Sequence, residues 1–193
     1  MARPRKFDEG MVLDLAMDVF WTLGYDGASM AELTRAMGMT APSLYFAFGS
    51  KRGLFDAVLE RYDQRRAAHG EWVRAAPTAH EAARRMLIGA VEWLTASDEP
   101  LGCLLVQAGL ATGTASCDVA VELSRRRNRV RTMMCERFEQ ARQQGELAET
   151  QDPAALALYI QIIFDGLTLQ AAAGTTRESL EAVVERSLMN WPA

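Results

Sequence analysis

Two helix-start signals eleven residues apart, at Ser29 and Thr40, constrain this chain more than anything else in it. Ser29 begins a Ser-x-x-Glu pair with Glu32, the reciprocal box that satisfies two orphan backbone N–H groups at a helix N-terminus. Met30, Leu33 and Met37 then recur at helical spacing and mark a buried side. Gly38 supplies the stop, because a left-handed backbone carries no Cβ penalty there. Thr40 caps a second helix with Pro42 in its first turn, where a missing N–H costs little. Leu44 and Phe48 point inward, which leaves Thr40, Ala41, Ser43 and Phe46 facing out. Ser50 caps the next helix, which starts at Lys51 and Arg52. Two short capped helices around a glycine turn make a helix-turn-helix.

The rest of the chain is punctuated in the same way, into nine helical segments and no convincing strand, so the expected fold class is all-α. Asp8 to Gly24 is amphipathic, with Met11, Leu15 and Val19 beside Val12, Ala16 and Phe20 on the expected inner face. A long fourth helix runs from Ser50 towards Val73, and Pro77-Thr78 ends it and caps a fifth that stops before Ser97. Leu101 to Thr112 reads as a short apolar sixth helix and Ser116 to Gln144 as the seventh. Asp152-Pro153 starts an eighth that Gly174 ends, and Thr176 opens a ninth that reaches Asn190.

Charge and composition bear on what such a bundle can bind. The chain has 193 residues, enough to bury a core without disulfides or metals. Its formal charge of −4 argues against nonspecific coating of nucleic acid. Residues 1–66 hold nine basic and nine acidic side chains, so the remainder carries the whole acidic excess. A nucleic-acid surface must therefore rest on local placement, at the Arg3-Pro4-Arg5-Lys6 start and at helix ends. That basic start is followed by Phe7-Asp8-Glu9-Gly10 rather than an apolar run, which is not a secretory signal. Leu101–Ala111 and Ala154–Phe164 are the longest apolar stretches, and each reads as too short to span a membrane. Cys103, Cys117 and Cys135 have neither metal-ligand spacing nor an even disulfide framework. Cys117 and Cys135 are separated by about 27 Å of helix, so reduced thiols in a cytoplasmic protein are expected. His69 and His80 are the only histidines, and no phosphate-cradling glycine loop, metal-ligand cluster or nucleophile elbow accompanies them. Neither catalysis nor a cofactor is expected.

The run Leu44-Tyr45-Phe46 with Phe48 and Ser50-Lys51, the Arg-Pro-Arg-Lys start, and the helix ending Phe20-Trp21-Thr22-Leu23-Gly24-Tyr25 together resemble the tetracycline-repressor (TetR) family of one-component transcriptional regulators. The likeness is specific over roughly the first sixty residues and architectural beyond them. It implies an arm and helix-turn-helix DNA-binding unit over residues 1–50, continuing into the linking helix to about residue 66. An effector-binding and dimerisation unit over residues 51–193 would follow. The DNA-contacting positions implied are Ser29, Thr40, Ala41, Pro42, Ser43, Tyr45, Phe46 and Lys51, with Arg3, Arg5 and Lys6 in the arm. Thr40 and Ser43 can bond bases or phosphates, Phe46 can meet a thymine methyl, and Tyr45 and Lys51 suit phosphate. The chain departs from the commonest family pattern at Phe46 and Ala47, and Ala41 provides no long basic side chain. Specificity then leans on DNA shape.

The eighth helix is apolar around nearly its whole circumference, so it must be covered on two sides. Leu156, Ile160, Ile163, Phe164 and Leu167, with Leu180, Val184 and Leu188 of the ninth helix, are the expected dimer interface of a homodimer, which reads a double-stranded operator with two heads. Trp72, Met86, Trp93, Cys103, Gln107, Phe138 and Tyr159 are the candidates for lining a pocket for a small-molecule effector of unknown identity. Cys103 falls in the expected first turn of the sixth helix, where the helix dipole favours a reactive thiolate, so a redox or electrophile sensor is an alternative reading. The Arg125–Arg131 run reads as a solvated helix face pairing with acids such as Glu122. A helical interaction module without DNA binding is the remaining rival. DNA titrated at several salt concentrations separates the two.

Overall fold

The computed structural model describes residues 8–97, 99–189 and 191. Arg3, Arg5 and Lys6 of the basic arm lie outside the described residues.

Nine α-helices and one 3-10 turn make up the described residues. A head is formed by α1 (Glu9–Gly27), α2 (Met30–Met37) and α3 (Ala41–Phe48). The long α4 (Lys51–Arg74) leaves it and joins α5 (Ala79–Leu94), α6 (Leu104–Leu110), the 3-10 turn Thr114–Ser116, α7 (Cys117–Gln143), α8 (Pro153–Ala172) and α9 (Arg177–Leu188). Side-chain caps start most of these helices: Asp8, Ser29, Thr40, Ser50, Thr78, Asp152 and Thr176 each accept from a backbone N–H two or three residues on.

α1 is the hub of the head, packed on α2, α4 and α6. Its buried face is Val12, Leu13, Ala16, Met17, Phe20 and Trp21, while Met11 and Leu15 of the expected inner face point to solvent. The sequence allows both registers, because apolar residues fill two adjacent stripes of the helix. The choice is made by docking, with Phe20 edge-on to Phe55 at 4.8 Å and Trp21 edge-on to Tyr62 at 5.4 Å. Asp14 then faces α4 and accepts from Arg61 at 3.0 Å.

Two departures from the expected boundaries matter for the site. α1 does not stop at Gly24 but kinks there (φ 70°) and runs on to Gly27. α6 begins at Leu104 and not at Leu101, because Gly102 turns left-handed (φ 90°) and Cys103 is extended.

α8 packs against α5, α7 and α9. With 20 residues and a mean hydropathy of 1.4 it is long and apolar enough to cross a bilayer by length and composition, contrary to the expectation from the Ala154–Phe164 stretch. The helix continues through Gln161 and Asp165 without a break. Its packing between three other helices accounts for one apolar side. The other remains uncovered in the single chain, where only 28% of the apolar window is buried.

Candidate nucleic-acid interface and internal cavity

The head presents α3 as an exposed edge on a rigid base. Leu44 is fully buried, whereas Thr40, Ala41, Pro42, Ser43, Tyr45 and Phe46 are exposed, Phe46 to 95%. Gly38 makes the turn in the left-handed region (φ 62°), and its N–H returns to the Arg35 carbonyl. Ser29 and Glu32 complete the reciprocal box, with the Ser29 N–H donating to Glu32 at 2.9 Å. The Thr40 and Ser43 hydroxyls lie 2.9 Å apart, so the pair shares one hydrogen bond and keeps further polar capacity facing out. Lys51 is half-buried, with its ammonium 4.6 Å from the Tyr25 ring centroid, and burial lowers its pKa.

Three contacts fasten the head and the first turn of α4 to the 3-10 turn and the start of α7. Asp26 accepts from the Gly113 N–H at 2.6 Å and from the Ser116 hydroxyl at 2.5 Å. The Ser116 and Gly113 bonds, helped by Lys51, hold the Asp26 carboxyl below its usual pKa. Arg52 pairs with Asp118 as well as with Asp56. At the α1 kink, a Cβ on Gly24 would stand 2.5 Å from the Ala111 side chain, so the approach requires glycine on two counts.

α4, α5, α7 and α8, with Cys103 and Leu105 at the start of α6, line a half-open cavity of about 390 Å³. Met86, Leu105, Val130, Met134, Ile160 and Phe164 give it apolar walls. Arg66, His69, Trp93, Arg127 and Gln161 supply polar groups. The Arg66 guanidinium lies 4.3 Å over the Trp93 ring and pairs with Glu99. Arg126 is only 7% exposed and is held by Glu122 at 2.7 Å and by Asp63. Arg125, followed by Arg126, holds the Glu122 carboxyl down to about 2.

Residues 12–58 match the family model described as bacterial regulatory proteins, tetR family, and residues 104–191 match that of the BetI-type transcriptional repressor C-terminal region. The HTH-type transcriptional repressor ComR of Escherichia coli (strain K12) is 36% identical over 196 residues, which cover 98% of this chain and 91% of ComR. The chain belongs to the TetR family. Similarity to the HTH-type transcriptional repressor BdcR, also of Escherichia coli (strain K12), is 47% identity over 60 residues, 31% of this chain and 30% of BdcR. A solved structure of a cysteine mutant of the TetR family transcriptional regulator CifR, complexed with 26 bp double-strand operator DNA, is 41% identical. That match covers 98% of this chain and 100% of the CifR chain, with a TM-score of 0.93.

In this TetR-family chain the helix-turn-helix is the head of a transcriptional regulator, and a purely structural helical module is set aside. The cavity collects Met86, Trp93 and Cys103 of the expected lining, but not the other four candidates. Trp72 sits outside, half-exposed beneath the Arg85 guanidinium at 5.1 Å. Gln107 turns back to donate to the Leu101 carbonyl. Phe138 is fully buried against Trp191, with ring centroids 5.5 Å apart. Tyr159 points out and donates its hydroxyl to the Ser187 carbonyl at 2.8 Å.

The expected dimer set is corrected more heavily. Ile160, Leu167, Leu180, Val184 and Leu188 are buried within this chain, so they are unavailable to a partner. Leu156, Ile163 and Phe164 are half-buried, and Ile160 and Phe164 line the cavity. The apolar residues left exposed are Leu158, Tyr159, Ile162 and Leu169 on α8 and Val183 on α9. A helix apolar all round does not reveal which half faces its own core.

Cys103 also differs from expectation. It is the extended residue before α6, wholly buried, with its sulfur 3.3 Å from the Tyr62 hydroxyl. Burial pushes its thiol pKa up, and the hydrogen bonds from Tyr62 and from the Leu105 and Val106 N–H groups only partly oppose this. The thiolate-favouring reading is therefore not favoured. The residues that sequence reasoning missed are the cavity's Arg66, Arg126, Arg127 and Gln161. Arg126 and Arg127 fall within the arginine run that reads as a solvated face, and only Arg125, half-exposed and paired with Glu122, matches that reading among the three.

Proposed function

We propose that this chain is a homodimeric, ligand-responsive repressor acting in the cytoplasm on a pseudo-palindromic double-stranded operator. Residues 1–50 would form the DNA-binding unit, running on into α4 to about residue 66, and residues 51–193 the effector and dimerisation unit. The observation that carries the reading is the outward edge of α3, where Phe46 stands 95% exposed beside Thr40 and Ser43 on a base held rigid by Leu44. An α-helix of this size enters the major groove, where Phe46 meets a thymine methyl and the two hydroxyls meet base edges or phosphate. Ser29, Ala41, Pro42, Tyr45 and Lys51 surround that edge and contact the backbone, joined by Arg3, Arg5 and Lys6 from the arm.

The effector enters the cavity between α4, α5, α7 and α8. α4 carries both the cavity wall and the residues that follow α3, so a ligand that fits one tilt of α4 better biases the spacing of the two heads. By linkage, it weakens operator affinity as much as operator weakens the ligand's. The dimer forms through the uncovered α8 and α9 stripe centred on Ile162.

Selection of bound sequences from a random duplex pool, followed by titration at several salt concentrations, tests the reading. The expected result is a pseudo-palindromic site whose affinity falls steeply with salt, at a slope of about −0.9 per phosphate neutralised. A paired Phe46→Ala, Lys51→Ala variant is expected to lose binding while remaining a folded dimer. A native protein that ignores every duplex at low ionic strength overturns the proposal.

A further inference from the structure

We propose that the cavity is built for an anion: a small carboxylate on an aromatic or branched apolar body, its acid group held by Arg66, Arg127 and the Trp93 indole. The inference rests on the reading of this cavity as the effector site. Eight buried side-chain polar atoms among the described residues have no hydrogen-bond partner, and five belong to residues lining this one cavity: Arg66 Nε, His69 Nε2, Trp93 Nε1, Arg127 Nε and Gln161 Oε1. Orphaned buried polar groups are rare because each costs its full desolvation. Their clustering beside one space points to a partner toward which these covered groups turn as it enters.

The chemistry of the cluster selects the partner. Three of the five, Arg66 Nε, Arg127 Nε and Trp93 Nε1, donate and cannot accept, so the complementary ligand carries acceptors there, with Gln161 Oε1 left to accept from a donor on it. Both guanidiniums already pair with a carboxylate, Glu99 for Arg66 and Asp165 for Arg127, which fixes each one in place. Charge-assisted bonds to an anion are the stronger use of such pre-set donors. A cation would find no free buried acid among the lining residues. Asp63, the buried-side carboxylate of the wall, is taken by Arg126 and Arg129, and Glu71 is solvent-exposed. Arg74 and Arg131, also on the wall, form no ion pair among the described residues and add positive potential. The remaining surface is Met86, Val130, Met134, Ile160 and Phe164, with the Trp93 and Phe164 rings 5.8 Å apart, and this suits an apolar or aromatic body. A volume of about 390 Å³ lies near the lower end of ordinary ligand pockets, which limits that body to one or two rings.

The test uses three matched probes on the native full-length protein: 1-naphthoate, 1-naphthamide and 1-naphthylmethylamine. Calorimetric titration is expected to show naphthoate binding at least about tenfold more tightly than the amide, with the amine weakest. Arg127→Gln, checked for folding by circular dichroism, is expected to erase that preference by bringing naphthoate down to the affinity of the amide. Should this variant not fold, the order of the three probes on the native protein decides. The amide or amine binding as well as naphthoate overturns the anion assignment and leaves the cavity an effector site. A naphthoate preference that survives Arg127→Gln and Arg66→Gln overturns the named residues. Duplex titrated into the same samples separates the two levels. DNA binding without any probe binding overturns the inference alone, whereas loss of DNA binding in the native protein overturns the regulator reading beneath it.

Discussion

Phe46 and Leu44 sit two residues apart on α3 and do opposite work. Leu44 is fully buried in the head, so Leu44→Ala removes a packed side chain and is expected to cost about 2–5 kcal/mol, read as a lower midpoint in urea unfolding. Phe46→Ala removes a side chain that touches almost nothing in the chain itself. Its unfolding free energy is expected to stay within about 0.5 kcal/mol of native, while affinity for a selected duplex falls roughly tenfold or more. A large loss of stability in the second variant would mean that the outward edge is structural. These α3 residues were legible in the sequence because caps and a glycine stop fix the helix, and two apolar residues four apart fix its rotation. The cavity was not legible by the same means. Arg126 meets Asp63, and Arg66 meets Glu99, across separations that no local spacing encodes. A string of arginines reads as solvent-facing until a neighbouring helix is laid on it. Cys103 differs for a related reason. It does cap the start of α6, but the packing of other elements around it buries the sulfur, and that burial outweighs the helix N–H groups.

At the scale of elements, the junction between α1 and the 3-10 turn is where the head meets the rest of the bundle. Asp26 is the natural point to break it, since one carboxylate serves Gly113 and Ser116 together. Asp26→Ala is expected to leave the helical content unchanged and to raise amide hydrogen exchange at Gly113 and its neighbours. The contribution has a definite pH sign. Its folded pKa is depressed, so the stabilisation is fully present above the ordinary carboxylate value of 3.8 and is lost as pH falls through the lower folded value. The difference in unfolding free energy between native protein and Asp26→Ala should therefore be constant near neutrality and shrink towards zero in strong acid. A difference that grows on acidification would contradict the assigned bonds. Gly24 belongs to the same junction, and its left-handed turn against Ala111 explains why a helix expected to stop there kinks and continues. Helix existence followed from capping chemistry throughout. The facing of α1, with Met11 and Leu15 turned to solvent, did not, because two apolar stripes were available and only the positions of α4 and α6 choose between them.

For the molecule as a whole, the apolar residues of α8 and α9 divide into two sets with different expected behaviour. Leu167 and Val184 close this chain's own core, whereas Leu158, Ile162 and Val183 lie on the open side, Ile162 to 61%. Leu167→Ala is expected to lower the stability of the protomer. Ile162→Lys should leave the protomer's fold intact, because a lysine there extends into solvent, but it places a charge at the centre of the proposed two-fold contact. Two lysines facing each other across the axis repel, and each loses water on pairing, so the dimer is the state that suffers. Light scattering coupled to size exclusion is expected to show a native dimer and an Ile162→Lys monomer at the same concentration. Operator affinity should fall far more than for any single α3 contact, since two linked heads bind with the second event intramolecular and two separate heads do not. A variant that stays dimeric with full affinity would place the symmetric contact elsewhere on the surface.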